Sequence, residues 1–326
     1  MTTLITGATG GLGTETARRL AQAGVPHLIL PVRNARSGDA LRSEIAALGC
    51  KDVSTPLLEL ASLANVMQFI EDFRSREGSI RLQGLLFNAG TQSASALRFT
   101  SEGIETTFAV NHLAHYALFR GLQDRLTPTA IVGWTTSGTH DPRERMARLF
   151  GFRGAQFHTA AMLAQGDYPG AQSSAQACRD AYATSKFCNM LMARHFGAAE
   201  QGQRKYFAFD PGLMPGTGLA RDQHGIALAA WKHLMPHLIG ILPGASSPKR
   251  SGDMLSKLMQ GQIAIEQNGS YFTFAGKVIA PYIPDNEQAV IKDLIGTSEE
   301  WLTSAPKLAP NQRLVGPARS DLSIKT

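Results

Sequence analysis

Short runs of β-branched and leucine residues alternate with segments of helical periodicity from the first residues of the chain onward. This order is typical of βαβ units, which build a parallel sheet with helices on both faces. It therefore predicts a doubly wound α/β fold. Seven strands are expected, at Thr3–Ile5, Leu28–Val32, Val53–Glu59, Gly84–Phe87, Ala130–Thr135, Tyr206–Phe209 and Ser270–Thr273.

The helical segments between these strands begin at small capping residues and end near glycine. Ser62 precedes the apolar pattern Leu63–Phe73, and the pattern Thr14–Ala23 ends at Gly24. Such boundaries are typical of helices that connect parallel strands, so the strand and helix predictions support one another.

The length of 326 residues fits one large domain, residues 1–326, that carries insertions. Two stretches, 141–179 and 213–250, are too long for ordinary connections and are expected to be lids over a substrate. The second carries an apolar stripe with partly helical spacing. Such a stripe is more often core, but if part of it lines a pocket, the substrate is apolar and larger than a sugar.

Composition excludes several classes of protein. Hydrophobic residues make up 43% of the chain and charged residues 18%, which argues against disorder. Lysine and arginine exceed the acids by 32 to 26, but these charges are scattered and form no basic block for nucleic acid. The net charge of +6 therefore indicates solubility first, although it would also suit an anionic cofactor.

Cysteine usage predicts neither a disulfide framework nor a metal site. The three cysteines have no Cys-x-x-Cys spacing, and their number is odd. Because Met1–Thr6 runs directly into a strand and a glycine-rich turn, no signal peptide is expected and the protein is predicted to be cytoplasmic. The longest apolar stretch, Gly225–Ala245, is interrupted by lysine, histidine and proline, so no integral membrane segment is expected. A face resting on a membrane stays a minor alternative.

A glycine-rich turn follows the first strand and opens the first helix. Glycines let a backbone approach phosphates, and a helix N-terminus offers free N–H groups and the positive end of a dipole. The position between strand and helix makes this a strong prediction of a dinucleotide site. The residues expected to line it are Gly7, Thr9, Gly10, Gly11, Leu12 and Gly13.

The end of the second strand offers Arg33, where a carboxylate usually accepts the ribose hydroxyls of NAD. A guanidinium there would pair with the 2′-phosphate of NADP. Arg36 is an alternative for this role, and Arg33 as a simple surface residue is another. Glu59 and its neighbour Leu60, at the end of the third strand, are expected near the adenine, although Glu59 is equally well explained as a surface acid.

The fourth strand ends in the small-residue turn Asn88, Ala89 and Gly90. A cofactor can lie against the backbone of such a turn at the carboxyl edge of a parallel sheet. The turn by itself would fit the end of any strand.

Tyr182 and Lys186 are four residues apart, so on a helix they share one face. A neighbouring ammonium favours the phenolate and would lower the phenol pKa from its usual value of about 10. Such a pair alone is usually structural. Ser137 after the fifth strand, to bind a substrate oxygen, and Asn111, to hold a water that links Lys186 to solvent, make coincidence improbable.

Taken together, these residues resemble the short-chain dehydrogenase/reductase family over about residues 1 to 220. The resemblance implies a Rossmann-like sheet, hydride transfer to or from a nicotinamide, and a catalytic tetrad of Ser137, Tyr182, Lys186 and Asn111. It also implies that Arg33 selects NADP and that Tyr182 and Lys186 contact the cofactor. Three further cofactor contacts follow from it, at Pro211, Gly212 and Thr217, although in another register the last of these positions falls on Gly216.

Within that family the chain resembles the branch of retinol dehydrogenases and light-dependent protochlorophyllide reductases. The interval between Ser137 and Tyr182 is long, and an insertion at this place also occurs in the protochlorophyllide enzymes. Those enzymes carry a cysteine directly after the Pro-Gly of the sixth strand, where this chain has Leu213. This departure argues against photochemistry.

The sequence therefore predicts an NADP(H)-dependent oxidoreductase that acts on a carbonyl or alcohol of an apolar small molecule. Two alternatives stay open. One is a protochlorophyllide-reductase-like enzyme that reduces a double bond, and the other is a non-catalytic NADP-binding sensor. The expected partner is a small-molecule substrate, and the subunit could form a homodimer.

Overall fold

The computed structural model describes residues 1–76, 80–214 and 244–305. An eight-stranded sheet with the order β3-β2-β1-β4-β5-β6-β7-β8 runs through this part of the chain. Neighbouring strands are parallel except for the last pair, β7 and β8. The strands are β1 Thr2–Ile5, β2 His27–Ile29, β3 Asp52–Ser54, β4 Leu82–Phe87, β5 Leu126–Thr135, β6 Lys205–Asp210, β7 Ser270–Thr273 and β8 Val278–Ile279.

The strand order places a topological switch point between β1 and β4. From β1 the chain runs outward through β2 to β3, and then returns to β4 on the other side of β1. In sheets of this kind, ligands bind in the crevice at the carboxyl ends of the strands at the switch point. The predicted doubly wound α/β fold, a Rossmann-like sheet in a single domain, is confirmed.

The prediction of seven strands was wrong by one. Val278–Ile279 forms an eighth strand, which pairs antiparallel with β7 and is exposed. Two residues at an edge leave no periodic pattern in the sequence. The predicted strands Leu28–Val32 and Val53–Glu59 were too long, because the regular strands end at Ile29 and Ser54, close to Pro31 and Pro56, which have no N–H to donate. Beyond the prolines, one isolated parallel bridge pairs Val32 with Leu57.

Helices cover both faces of the sheet. α1 begins at Gly11, before the predicted Thr14, because Gly10 is the N-cap residue. The prediction for α3 was correct at its start, where the Ser62 hydroxyl accepts the N–H of Asn65 at 3.3 Å. The helices are α1 Gly11–Gln22, α2 Ala35–Ala47, α3 Leu63–Arg76, α4 Thr106–Phe108, a π-helical turn Ala109–Leu113, α5 Ala114–Leu122, α6 Arg145–Leu149, α7 Ala160–Gln165, α8 Ser174–Ala199, α9 Pro248–Met259 and α10 Glu287–Ser304, with 3₁₀ turns at Gln123–Arg125 and Gly138–His140.

The core lies in two layers, one on each face of the sheet. Along β6, Tyr206 and Ala208 belong to one layer, and Phe207 and Phe209 belong to the other. This alternation follows from the two-residue repeat of a strand. Helices α3, α5 and α8 pack on the first face, whereas α1, α2 and α9 pack on the second.

The insertion 141–179 contains α6, α7 and the first turns of α8. It is attached to the domain by the N–H of Ala160, which donates to the Asp293 carboxylate at 2.6 Å. Only the two ends of the insertion 213–250 lie in the described residues. There the N–H of Leu213 donates to Gly244 O at 2.9 Å, so the ends of this insertion meet.

The described ranges contain no helix that is long and apolar enough to cross a membrane. All three cysteines are buried.

Candidate functional site

The glycine turn after β1 packs tightly against the turn after β4. Gly7 has a φ of +70°, and a Cβ on it would lie 2.7 Å from the Cα of Ala89. A Cβ on Gly13 would lie 2.3 Å from Gly7 O and 2.6 Å from Nδ2 of Asn88. Glycine is therefore required at both positions. α1 begins directly after this turn, so its first N–H groups, which have no partner within the helix, lie beside it.

Asn88 holds the two turns together. Its Nδ2 donates to Thr6 O at 3.0 Å and to Gly7 O at 3.2 Å. In the other direction, the Thr6 hydroxyl accepts the N–H groups of Asn88 and Ala89 at 3.0 and 3.1 Å. The shape of the crevice is thus fixed by hydrogen bonds within the protein.

A first cavity of about 510 Å³ opens along these turns. Its volume is within the range of small-molecule sites. Gly212, predicted here, lines a second cavity instead, and Thr217 lies outside the described residues. The other predicted cofactor residues all line the first cavity: Gly7, Thr9, Gly10, Gly11, Leu12, Gly13, Arg33, Glu59, Leu60, Asn88, Ala89, Gly90, Tyr182, Lys186 and Pro211.

Arg33 follows β2 and Glu59 follows β3, on one side of β1 in the sheet, whereas the helix of Tyr182 packs on β5 and β6 on the other side. Arg33 and Glu59 therefore lie at the end of the first cavity that is remote from Tyr182. Arg33 is exposed and lines the cavity, whereas Arg36 is not among the lining residues. The carboxylate of Glu59 accepts the N–H of Ala61 at 3.0 Å, and its own N–H donates to Asn65 Oδ1 at 2.7 Å. Glu59 therefore shapes the loop after β3 in addition to lining the cavity.

Tyr182 and Lys186 lie on α8 and are buried, with 6% and 3% of their surfaces exposed. The Lys186 ammonium is 5.7 Å from the centre of the Tyr182 ring, which confirms the expected proximity. It donates to Thr135 O, at the end of β5, at 3.1 Å. Burial lowers the pKa of Lys186 to about 8, against an opposing contribution from Asp210.

The expected fall in the Tyr182 pKa is not found. Burial raises the pKa of Tyr182 above its ordinary value, and the nearby Asp210 carboxylate raises it further, while the Ser137 hydroxyl lowers it. The reason is that the free energy lost when a phenolate is removed from water exceeds the free energy gained from its hydrogen bond with Ser137. The phenol is therefore expected to carry its proton at neutral pH.

Asn111 sits on the π-helical turn and ties three segments together. Its Oδ1 accepts the N–H of Thr91 at 2.7 Å, and its Nδ2 donates to Thr91 O at 3.0 Å and to the Ser185 hydroxyl at 2.9 Å. A Cβ on Gly90 would lie 3.2 Å from the Lys186 ammonium and 3.5 Å from Asn111 Oδ1. Gly90 thus leaves space beside both groups, and the predicted relay through Asn111 stays a prediction.

A second cavity of about 400 Å³ adjoins the first, and Tyr182, Gln92 and Met214 line both. Ser137 lines only the second. The insertion 141–179 supplies much of one wall. The polar lining includes Ser137, Glu144, Arg179, Asp210 and Thr273, and the apolar lining is Ala94, Met146, Ala147, Phe150, Phe152, Leu213, Met214, Phe274 and Ile279.

Asp210, at the carboxyl end of β6, is a lining residue that sequence reasoning missed. Its carboxylate accepts the N–H of Gly212 at 2.9 Å and the Tyr271 hydroxyl at 3.2 Å. Burial raises its pKa. The signal was available, since an acid ends the strand next to the one that leads to Ser137.

Comparisons with known proteins agree with this geometry. The family model for short chain dehydrogenase matches residues 1–132. Protochlorophyllide reductase A of Arabidopsis thaliana is 31% identical over 295 residues, covering 83% of this chain and 68% of that protein. The Avena sativa protochlorophyllide reductase is 30% identical over 296 residues, covering 83% and 88%. The solved RhlG/NADP active-site complex of Pseudomonas aeruginosa shares the fold, with a TM-score of 0.59, 18% identity and coverage of 84% and 94%.

Proposed function

Because this chain belongs to the short-chain dehydrogenase/reductase family, we propose that it is an NADP(H)-dependent enzyme that transfers hydride between the nicotinamide and a carbonyl or alcohol of an apolar small molecule. One observation carries the proposal. Tyr182 lines both cavities, so a group held in the first and a group held in the second would meet beside this residue.

The residues of the first cavity fit a dinucleotide phosphate. The glycine turn at the N-terminus of α1 suits the pyrophosphate, and the exposed guanidinium of Arg33 suits the 2′-phosphate of NADP. Lys186, at the other end of the cavity, would bind the nicotinamide ribose. The cofactor, when bound, supplies the hydride.

The protein's own part is to orient the substrate and to move a proton. Ser137 and Tyr182 would both hydrogen-bond the carbonyl oxygen in the second cavity, and Tyr182 would donate its phenolic proton to that oxygen as hydride reaches the carbon. Burial raises the pKa of this phenol, which keeps it in the protonated form that this step needs. Lys186 and Asn111 would return a proton to Tyr182, and the reverse direction would oxidise an alcohol.

The two insertions are proposed as substrate lids. For 141–179 the support is that Phe150 and Phe152 line the second cavity from this insertion. For 213–250 the support is that both described ends, at Leu213 and Gly244, line the same cavity.

The cofactor half of the proposal is tested by fluorescence titration with NADPH and NADH. The wild-type protein should bind NADPH at least tenfold more tightly, because a guanidinium paired with a phosphate contributes about 1.5–3 kcal/mol. Arg33→Ala should remove this preference, whereas Arg36→Ala, the matched control, should keep it. If the wild-type protein binds neither cofactor, the proposal is wrong.

A second candidate is reduction of a conjugated carbon–carbon double bond. The names of the relatives at about 30% identity favour it. Leu213 opposes it, because it lines the second cavity where the protochlorophyllide enzymes have a cysteine. Protochlorophyllide and NADPH, mixed with the protein in darkness and then illuminated, distinguish the two. A light-dependent change in pigment absorbance would favour double-bond reduction.

A further inference from the structure

Arg179 gives the second cavity a cationic group on the same helix face as the catalytic tyrosine. It lies three residues before Tyr182 on α8, so the two side chains are neighbours on that face. Arg179 is half-buried and lines the second cavity, whose walls are otherwise mainly apolar. An anionic partner would stabilise a guanidinium that is partly removed from water.

The guanidinium is held in place by neutral groups. Its Nε donates to Gly151 O at 3.0 Å, and its Nη2 donates to Gln176 Oε1 at 2.8 Å. Gln176 is fixed in turn, because its Nε2 donates to the Asp180 carboxylate at 2.8 Å. The insertion and the first turns of α8 therefore orient Arg179 without neutralising it.

The nearest acid in the sequence serves a different arginine. Asp180 is fully buried, and Arg153 binds both of its oxygens, at 3.0 and 2.7 Å. Across residues 1–76, 80–214 and 244–305, no carboxylate lies within ion-pair distance of Arg179. Its positive charge is thus available to a ligand.

The two carboxylates that line the same cavity have partners of their own. Asp210 accepts from Gly212 and Tyr271. Glu144 accepts the N–H of Met146 at 3.2 Å and so caps α6. Among the described residues, the cavity therefore combines an apolar body, a proton donor at Tyr182, two carboxylates that accept hydrogen bonds from neutral groups, and one cation without an acidic partner.

We propose that Arg179 binds a carboxylate of the substrate, so that the enzyme acts on apolar carbonyl compounds that carry an acid group. This inference rests on the proposed function, since it places the reacting carbonyl beside Tyr182. A planar guanidinium suits a carboxylate because its N–H groups form a fork that matches two oxygens.

The test uses 6-formyl-2-naphthoate and its methyl ester, which differ only in charge at the acid group. Calorimetry measures their binding to the protein loaded with NADP, and NADPH oxidation measures their reduction. Wild type should bind the carboxylate roughly tenfold to a hundredfold more tightly than the ester, the range expected of a charge-assisted hydrogen bond. Arg179→Gln should remove this difference.

Three comparisons keep the outcome interpretable. Arg148→Gln makes the same charge change at an exposed site on α6 that does not line the cavity, and it should keep the preference. Arg179→Lys keeps the charge but loses the fork, so it should keep part of the preference and covers the case in which Arg179→Gln fails to fold. Equal binding of acid and ester by wild type, or binding of neither, would overturn the inference. Failure of wild type to reduce the ester would count against the proposed function instead, because binding is measured without turnover.

Discussion

The first and second cavities share Tyr182 but are built from different parts of the chain. The first is formed mainly by main-chain turns at the ends of β1 and β4 and by the first turn of α1. The second is formed mainly by side chains that come from the insertion 141–179, from the end of β6 and from the β7–β8 hairpin. Backbone geometry thus fixes what the first cavity accepts, whereas side-chain identity determines the second.

The largest expected effect is at Tyr182, one of the described residues that line both cavities. Tyr182→Phe removes the proton donor, so turnover of any aldehyde substrate should fall by about a thousandfold. NADPH affinity, measured by fluorescence, should stay within a factor of about three. Full turnover by this variant would show that the cavities do not meet at a working acid.

Lys186 lines the first cavity and not the second, and its burial should make the stability of the protein depend on pH. Its pKa is lowered from 10.5 to about 8 by burial, so between these values the unfolded chain holds the proton and the folded chain does not. Wild-type stability should therefore rise with pH across this window, and below it the cost of the buried charge is fully present.

Urea unfolding of wild type and Lys186→Met at several pH values measures this effect. The stability of wild type relative to Lys186→Met should increase by up to about 3 kcal/mol between pH 8 and 10.5. The same comparison with Lys249→Met, at an exposed lysine, should show no such increase. If the difference in stability between wild type and Lys186→Met does not change with pH, the Lys186 ammonium is solvated in the folded protein.

A glycine of the first cavity should tolerate no side chain. Gly13→Ala places a methyl group against Gly7 O, so the free energy of unfolding should fall by about 1–3 kcal/mol and NADPH affinity should fall with it. Gly296→Ala in α10 meets no atom within 4 Å and should stabilise the helix by up to about 1 kcal/mol. Equal effects of the two changes would contradict the close packing of the turns.

The second cavity should respond more weakly to a single change, because many side chains share its lining. Phe150→Ala should raise KM for apolar aldehydes roughly fivefold, from the loss of about 1 kcal/mol of apolar contact, and leave NADPH affinity unchanged. Leu149→Ala is the matched control, since Leu149 is 79% exposed and does not line the cavity. A KM that moves equally in both variants would remove the support for a lid.

The contrast between the cavities also explains what sequence reasoning could predict. The glycine turn and the pair Tyr182 and Lys186 depend on residues a few positions apart, whose geometry is set by one turn or one helix. Asp210 ends β6 and Arg179 lies three residues before Tyr182 on α8, but that both line one cavity depends on how the strands and the insertion fold together. The predicted direction of the Tyr182 pKa shift was wrong for a related reason, because the burial that raises this pKa is a property of the whole fold.

The most direct test of the account follows a labelled hydride across the boundary between the cavities. The protein is incubated with NADPH that carries deuterium at both positions of C4 of the nicotinamide and with the methyl ester of 6-formyl-2-naphthoate, and the product is analysed by mass spectrometry and NMR. We predict an alcohol with one deuterium at the former carbonyl carbon. Tight binding of NADPH with no deuterium in the product, and none in other aldehydes and ketones, would contradict the claim that the two cavities form one active site at Tyr182.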